Sequence, residues 1–239
     1  MKKYEETLKY LEDKIEKGIY KWNDFLPSEI ELCEQFKVSR STVRQALSIL
    51  EKNGWIQKQQ GRGSIVIPRH KMQLPVSDLT SYKELQENLK MKNETQVVSF
   101  KQIKIDKKLS TQTMFPIDSN AFYIERTRKM NGKVIILDKD IIRADLAPNL
   151  TAEIASQSIF DYLENSLGYE ISYAQKEITI DLIDDNDTKY MDLHFLDRHI
   201  VSIKSHVFLK DNTIFQYSES HHQVDQFKIS EFARRYKRK

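Results

Sequence analysis

A chain of 239 residues has room for one large or two modest domains. With 39% hydrophobic and 31% charged residues and only 6 Gly and 5 Pro, it can bury a core, and it is neither collagen-like nor wholly disordered. No apolar run exceeds four residues, Val134-Ile135-Ile136-Leu137 being one, against the roughly 18 to 20 that a membrane-spanning helix takes. A lone cysteine, Cys33, excludes an internal disulfide framework. The start, Met1-Lys2-Lys3-Tyr4-Glu5-Glu6, turns acidic where a signal peptide turns apolar, so the expected compartment is the cytoplasm. Residues 1–70 carry 13 Lys+Arg against 10 Asp+Glu, and residues 71–239 carry 25 of each, which places the whole net charge of +3 in the first third. A second basic cluster, Arg234-Arg235-Tyr236-Lys237-Arg238-Lys239, reads as a solvated tail.

In chain order, Leu8, Leu11 and Ile15 recur at helical spacing over residues 4–17, with Gly18 as a stop. Ser28 with Glu31 forms a capping box after Pro27, opening a second helix that runs to about Phe36 and is expected to bury Ile30, Leu32, Cys33 and Phe36. After the turn Lys37-Val38, Ser39 caps a third helix whose apolar stripe is Val43, Ala46, Leu47 and Leu50, with Gly54 beyond its end. Two helices joined by so short a turn are a helix-turn-helix. The outer face of the third helix presents Arg40, Ser41, Thr42, Arg44, Gln45 and Ser48, which are donors, acceptors and positive charge suited to a DNA groove. Residues 55–60 and 64–67 then read as a hairpin with the basic tip Gly61-Arg62-Gly63, the wing of a winged helix. A small helical domain with a solvated polar face would display a similar third helix, and the combination argues against it.

The string Leu26-Pro27-Ser28-Glu29, Leu32, Val38-Ser39-Arg40-Ser41-Thr42-Val43-Arg44-Gln45-Ala46-Leu47, Leu50, Gly54-Trp55-Ile56 and Gly61-Arg62-Gly63 resembles the winged-helix domain of the GntR family of bacterial transcription regulators. The resemblance implies that Arg40, Thr42 and Arg44 meet DNA together with Arg62 and Gly63 at the wing tip, and that Ser28 and Glu29 open the second helix at the phosphate backbone. Ser41 and Gln45 join this set as neighbours on the same helical face.

Pro68 and Pro75 bracket a polar stretch that reads as a linker, giving a division into residues 1–68, a linker at 69–77 and a second domain at 78–239. Residues 80–89 look helical. Strand-like runs follow at 96–105, 120–130, 134–142, 170–183, 199–209 and 213–222, enclosing a helix near 158–167, which makes the second domain α+β with a mostly antiparallel sheet. Period two along 120–130 puts Phe122, Ile124, Arg126, Arg128 and Met130 on one face. Buried cations need partners, neither strand neighbour supplies an obvious carboxylate for both, and paired guanidinium groups suit the bidentate geometry of a phosphate. The alternative is a salt-bridged surface pair beside core residues.

Leu79-Thr80-Ser81-Tyr82, Arg126-Thr127-Arg128, Asn131-Gly132, Asp138, Ser158-Ile159-Phe160-Asp161-Tyr162-Leu163 and Tyr217-Ser218-Glu219-Ser220 resemble the UTRA effector domain of the HutC branch of GntR regulators, which has a chorismate-lyase-like fold. The resemblance implies a phosphate held by Ser81, Arg126, Arg128 and Ser158, and a sugar surrounded by Asp138, Phe160, Tyr217 and Glu219. Asp138 stands where a glutamate is usual and Phe160 where a tyrosine is frequent. The run from Asp225 to Arg235 is similar to the ending of trehalose operon repressors in this branch, implying trehalose 6-phosphate as effector; glucosamine-6-phosphate and N-acetylglucosamine-6-phosphate fit the same framework. If Asn131-Gly132 alone forms the turn, Asp138 falls opposite Glu125 and faces away from the arginines; a three-residue loop Met130-Asn131-Gly132 would set it opposite Ile124, on their face.

An enzyme is the rival class, because the second domain resembles a fold that also hosts a lyase, but no catalytic constellation stands out. Cys33 lies on a buried helical stripe, and His221 and His222, adjacent on a strand, point to opposite faces, which is wrong for chelating one metal. We therefore expect no cofactor and no metal, with double-stranded operator DNA, a sugar phosphate and a second copy of the chain as partners. A dimer follows from the short reach of one winged helix. A second domain that only dimerises is the third reading.

Overall fold

In a computed structural model, residues 3–68, 79, 93–229 and 235 are described. The expected linker, the helix at 80–89, Ser81, residues 230–234 of the C-terminal run and most of the terminal basic cluster lie outside them. The chain divides into two compact units, with a boundary between Pro75 and Val76.

The first unit is built from α1 (Lys3–Glu16), α2 (Glu29–Phe36), α3 (Arg40–Lys52) and a hairpin of β1 (Ile56–Gln59) and β2 (Gly63–Val66). Its core is the apolar faces predicted for the helices: Leu11, Leu32, Val43, Leu47 and Leu50 pack with Trp55, Ile56 and Val66. The capping box is formed, with Glu31 N–H donating to Ser28 Oγ at 3.2 Å and Ser28 N–H to Glu31 Oε2 at 2.7 Å. Lys37, at φ 50°, ends α2 in the left-handed region, and Ser39 Oγ caps α3 two residues later. Ile30 does not join the core. It is 54% exposed, because two residues along a helix is about 200° of rotation, which sets Ile30 nearly opposite Leu32.

Among the described residues the second unit is one antiparallel sheet in the order β3-β4-β5-β8-β7-β6. Its strands are β3 (Asn93–Lys104), β4 (Asn120–Met130), β5 (Lys133–Arg143), β6 (Ile171–Leu182), β7 (His199–Leu209) and β8 (Ile214–Gln223). Three short helices were not anticipated: α4 (Lys107–Thr113), α5 (Ala152–Gln157) and α7 (Asp185–Tyr190). The expected helix near 158–167 is α6 (Ile159–Asp161) running into a π-helical turn, Tyr162–Ser166. On one face, Ala155, Ile159 and Leu163 pack against Ile124, Ile142, Val207 and Phe215. On the other, Ile105, Phe115, Ala121, Ile141 and Tyr217 form a smaller cluster. The sheet is thus a plate with helices on both sides, and each strand carries two distinct sets of side chains.

The β4–β5 turn corrects both expected registers. Met130 pairs with Lys133 around Asn131 (φ 51°) and Gly132 (φ 83°), which is the two-residue turn of double positive φ that Asn-Gly favours. A bulge follows at once: Lys129 pairs with Val134 but Arg128 with Ile136, leaving Ile135 extra. One inserted residue moves every later β5 side chain to the other face. Asp138 therefore falls opposite Arg126, neither opposite Glu125 nor opposite Ile124.

Candidate functional site

In the first unit, Arg40, Ser41, Arg44, Gln45 and Ser48 are exposed along α3, opposite the buried stripe, and Thr42 is half-buried beside them. Ser39 Oγ lies 2.8 Å from Ser41 Oγ and 2.9 Å from Thr42 Oγ1, so the first turn of α3 is a cluster of hydroxyls at a helix N-terminus, where backbone N–H groups favour an anion. Arg44 Nε donates to Glu29 Oε2 at 2.8 Å, which tethers the guanidinium from α2 while 63% of its side chain stays exposed. Ser28 and Glu29 start α2 on the exposed side of the unit. At the hairpin tip, Arg62 lies over the Phe25 ring, 5.6 Å from its centroid, and Gly61, Arg62 and Gly63 are all exposed. Gly61 and Gly63 have φ of 74° and 110°, backbone that side chains strain to adopt. A basic wing tip and a basic helix that opens on a cluster of hydroxyls offer groups suited to a phosphate backbone flanking a groove.

In the second unit, strand alternation brings Arg126 and Arg128 of β4 to the same face as Asp138 and Asp140 of β5 and Ser218 and Ser220 of β8. The arginines are 7% and 4% exposed, so this is not the salt-bridged surface pair that was the alternative. It is a buried array, and β5 supplies one carboxylate for each arginine. Arg126 donates to Asp140 Oδ2 through Nη2 at 2.7 Å and Nε at 3.1 Å, and through Nη1 to the Ala155 carbonyl in the last turn of α5 at 3.1 Å. Arg128 donates through Nε to Asp138 Oδ2 at 2.8 Å and through Nη1 to Thr95 Oγ1 at 2.6 Å. Two rows of hydrogen bonds cross the sheet. One runs Thr95, Arg128, Asp138, Ser220 and His222, with Ser220 Oγ donating to Asp138 Oδ1 at 2.5 Å. The other runs from Ala155 through Arg126 and Asp140 to Gln216, whose Nε2 donates to Asp140 Oδ1 at 2.6 Å.

The electrostatics follow from burial and from these pairings. Burial alone would raise the Asp138 carboxyl, but Arg128 and Arg126 with the bonds from Ser220 and Arg128 outweigh it and hold it at about 2. Arg128 is pushed below the ordinary arginine value by burial and by the like charge of Arg126, whereas Asp140 and Asp138 outweigh burial at Arg126. Burial drives His222 down to about 4, so the ring beside Ser220 is neutral. Two adjacent buried guanidinium groups are thus held by two aspartates, and Gln216 Oε1 has no hydrogen-bond partner among the described residues.

Of the residues expected around a ligand, Arg126, Arg128 and Asp138 converge. Ser158 is buried three residues beyond Ala155 and caps α6, its Oγ accepting from Asp161 N–H at 3.2 Å. Phe160 is part of the apolar layer on the same side of the sheet, edge-on to Phe215 with centroids 6.2 Å apart. Tyr217 and Glu219 do not belong to this face. Since Asp138 pairs with Ser220, alternation turns both to the opposite side, where Tyr217 packs with Ile141 and Phe115 and Glu219 meets His221. The residues of β8 that do face the arginines are Gln216, Ser218, Ser220 and His222. Their signal lay in the period-two pattern of β8, which was readable only once its register was known.

The sequence pattern described as bacterial regulatory proteins, gntR family, matches residues 3–66, and that of the UTRA domain matches residues 88–228. The HTH-type transcriptional regulator TreR of Bacillus subtilis is 43% identical over 227 residues, 95% of either chain. The HTH-type transcriptional repressor NagR of the same organism is 27% identical, over 94% of this chain and 91% of that one. Among solved structures, the effector binding domain of the B. subtilis trehalose repressor superposes with a TM-score of 0.55 at 39% identity, covering 60% of this chain and 99% of that one. The B. subtilis YydK structure superposes over 98% of this chain with a TM-score of 0.82; at 24% identity that likeness concerns the fold. No helix among the described residues is long and apolar enough to cross a membrane.

Proposed function

The chain belongs to the gntR family of bacterial regulatory proteins and carries a UTRA domain, so it is a transcriptional regulator rather than an enzyme; from that premise we propose that it represses a sugar-utilisation operon and leaves its operator on binding trehalose 6-phosphate. The observation that carries this reading is the burial of Arg126 and Arg128 side by side on a sheet face shared with hydroxyl, carboxylate and amide groups of β5 and β8. Arg128 is lowered by burial first and by the like charge of Arg126 second; with each guanidinium already paired to one aspartate, a dianion brought to the pair adds charge-assisted bonds to both arginines. Asp138, Ser220 and Gln216 then offer acceptors and donors to sugar hydroxyls. The 43% identity to TreR and the likeness to the trehalose repressor's effector binding domain favour a trehalose derivative over other sugar phosphates.

On the DNA side, Arg40, Ser41, Thr42, Arg44 and Gln45 read the groove, while Ser28, Glu29, Arg62 and Gly63 meet the backbone. Two copies acting together double the site read. The exposed apolar residues Ile178, Ile180 and Leu182 on the terminal strand β6 suit a two-copy assembly. Release requires that the sugar phosphate bind the DNA-incompetent arrangement more tightly than the competent one, and by reciprocity operator weakens ligand binding.

The test is a thermal shift of the full chain against trehalose 6-phosphate, trehalose, glucosamine-6-phosphate and N-acetylglucosamine-6-phosphate, followed by displacement of DNA that the protein has selected from a random library. A ligand at about 100 times its dissociation constant stabilises the fold by roughly 2.7 kcal/mol. Stabilisation and DNA release by trehalose 6-phosphate but not trehalose support the reading. A larger effect of an amino-sugar phosphate replaces the effector, and no response to any of them removes the sugar-phosphate site.

A further inference from the structure

The sheet face turned away from Arg126 and Arg128 carries a second buried charge cluster for which the proposed function has no use. Its centre is His221 of β8, 4% exposed. Both ring nitrogens meet carboxylates: Nδ1 lies 2.6 Å from Asp187 Oδ1 and Nε2 lies 3.0 Å from Glu219 Oε1. A neutral imidazole has one N–H and can satisfy only one of these oxygens, turning a lone pair toward the other. The imidazolium donates to both. Asp187 is fully buried and comes from α7, so the Nδ1 contact joins that helix to the sheet.

We propose that His221 is a proton-operated latch that clamps α7 onto the sheet, closed while the ring carries both protons and opened when it loses one. The surrounding charges come from every neighbouring element. From α7 and its cap come Asp187 and Asp184, and from β8 itself comes Glu219. From β5, Lys139 Nζ lies 2.5 Å from Asp184 Oδ2 and 3.5 Å from His221 Nδ1. From β4, Glu125 accepts from Asn186 of α7 at 2.9 Å and from the Tyr123 hydroxyl at 2.8 Å. From β7, Lys204 acts on Glu219 and bonds Asp181 of β6 at 2.9 Å. Burial pulls the His221 value down, but the bonds to Asp187 and Glu219 outweigh burial and the opposing charge of Lys139, leaving it above that of an ordinary histidine. The sign follows. A group raised in the folded state contributes its full stabilisation below its unfolded value, about 6.5, and loses it as pH rises through the folded value. The latch is therefore closed in acid and opens toward alkaline pH.

A proton fits the cluster better than a metal ion does. Asp184, Asp187 and His221 offer ligand atoms within 4.8 Å of one another. However, Asp184 Oδ1 and Asp187 Oδ2 accept the reciprocal backbone bonds of the α7 capping box, at 2.9 and 3.0 Å. Asp184 Oδ2 is held by Lys139 and Asp187 Oδ1 by His221. A metal would have to expel the Lys139 ammonium and break the cap that starts the helix.

The experiment follows the α7 amides of Thr188 and Met191, which donate to Asp184 and Asp187 carbonyls, by hydrogen exchange in the full chain between about pH 6 and about pH 9, corrected for the intrinsic exchange rate. Nitrogen-15 signals of His221 are read over the same range. The expected result is a doubly protonated ring at the acid end, titrating above the ordinary histidine value, with α7 protection falling about tenfold or more over the same interval. Glu219→Gln should move both transitions to lower pH together, and His221→Gln should leave α7 protection low and flat. A ring already neutral at the acid end, or α7 protection that ignores the titration in the unaltered chain, overturns the latch whether or not the His221 variant folds. Zinc ions that restore α7 protection at the alkaline end would overturn it as well, by reassigning the cluster to a metal.

Discussion

Arg126 lies directly across the ladder from Asp138, yet its ion pair is with Asp140, two residues further along β5, while Asp138 is taken by Arg128. Long side chains reach the diagonal neighbour on one face of a sheet as readily as the one opposite. The diagonal pairing makes two parallel ion pairs rather than one pair and one orphan, so the four charges cancel inside the protein.

Breaking that balance gives the first prediction. Asp140→Asn leaves a buried guanidinium without its charge partner and should lower stability by about 3 to 5 kcal/mol in urea unfolding. A dianion supplies the missing charge, so saturating inorganic phosphate should narrow the gap between variant and unaltered chain. A gap that phosphate leaves unchanged would remove the anion from the arginine pair.

The second prediction separates sugar from phosphate. Asp138 both holds Arg128 and accepts from Ser220. If it also accepts from sugar hydroxyls, Asp138→Asn should weaken trehalose 6-phosphate more than inorganic phosphate, whereas Arg126→Ala should weaken both. Calorimetric titration with the two ligands decides. Equal losses in Asp138→Asn would mean that the carboxylate serves only its arginine.

The third prediction concerns the tether between α2 and α3. Arg44→Ala should cost on the order of 1 to 3 kcal/mol of operator binding while leaving the fold intact. If Glu29 meets the phosphate backbone through the start of α2 while its carboxylate only orients Arg44, Glu29→Gln should cost less, and the double variant should bind no worse than Arg44→Ala alone. Additive losses would give the Glu29 carboxylate a DNA contact of its own. Arg62→Ala should instead weaken binding to all sequences and flatten the salt dependence by about one unit of slope.

How far the sequence foretold this arrangement depended on the strength of each local signal. The capping box at Ser28, the Ser39 cap and the strand limits at Asn120, Met130, His199 and Leu209 coincide with the structure, because each is set by short-range chemistry or by long alternation. The helices α4, α5 and α7 escaped notice because six or seven residues barely complete two turns, too few for a helical period to stand out. Their caps, Asp106, Thr151 and Asp184, were the available signal. The exact β4–β5 register and the sides taken by Tyr217 and Glu219 were hidden for a different reason, although Asp138 does share the arginine face as one of its two expected placements had it. The bulge at Ile135 sits in the uninterrupted apolar run from Val134 to Leu137, with no glycine to mark it. Parity was therefore lost between the turn and Asp138. The arginine face gained Asp140, Gln216, Ser220 and His222, and Tyr217 and Glu219 went to the other side.

The last prediction tests whether the buried array is ionised as its geometry implies. Asp138 is held at about 2 against an ordinary value of 3.8. A depressed carboxyl contributes stability that is present above its unfolded value and is lost as pH falls through the folded one. The window is therefore between about pH 4 and about pH 2, and the contribution is on the order of 2 kcal/mol. Asp138→Asn has no such group to protonate. Its deficit relative to the unaltered chain, measured by urea midpoints, should be largest near neutrality and should shrink as the acid window is entered, because the unaltered chain then loses the same ion pair. Other depressed carboxyls, Asp145, Asp181, Asp184 and Glu219 among them, titrate in both proteins and cancel in the difference. A deficit that stays constant down to about pH 2 would mean that Asp138 acts through its shape and its hydrogen bonds rather than through its charge.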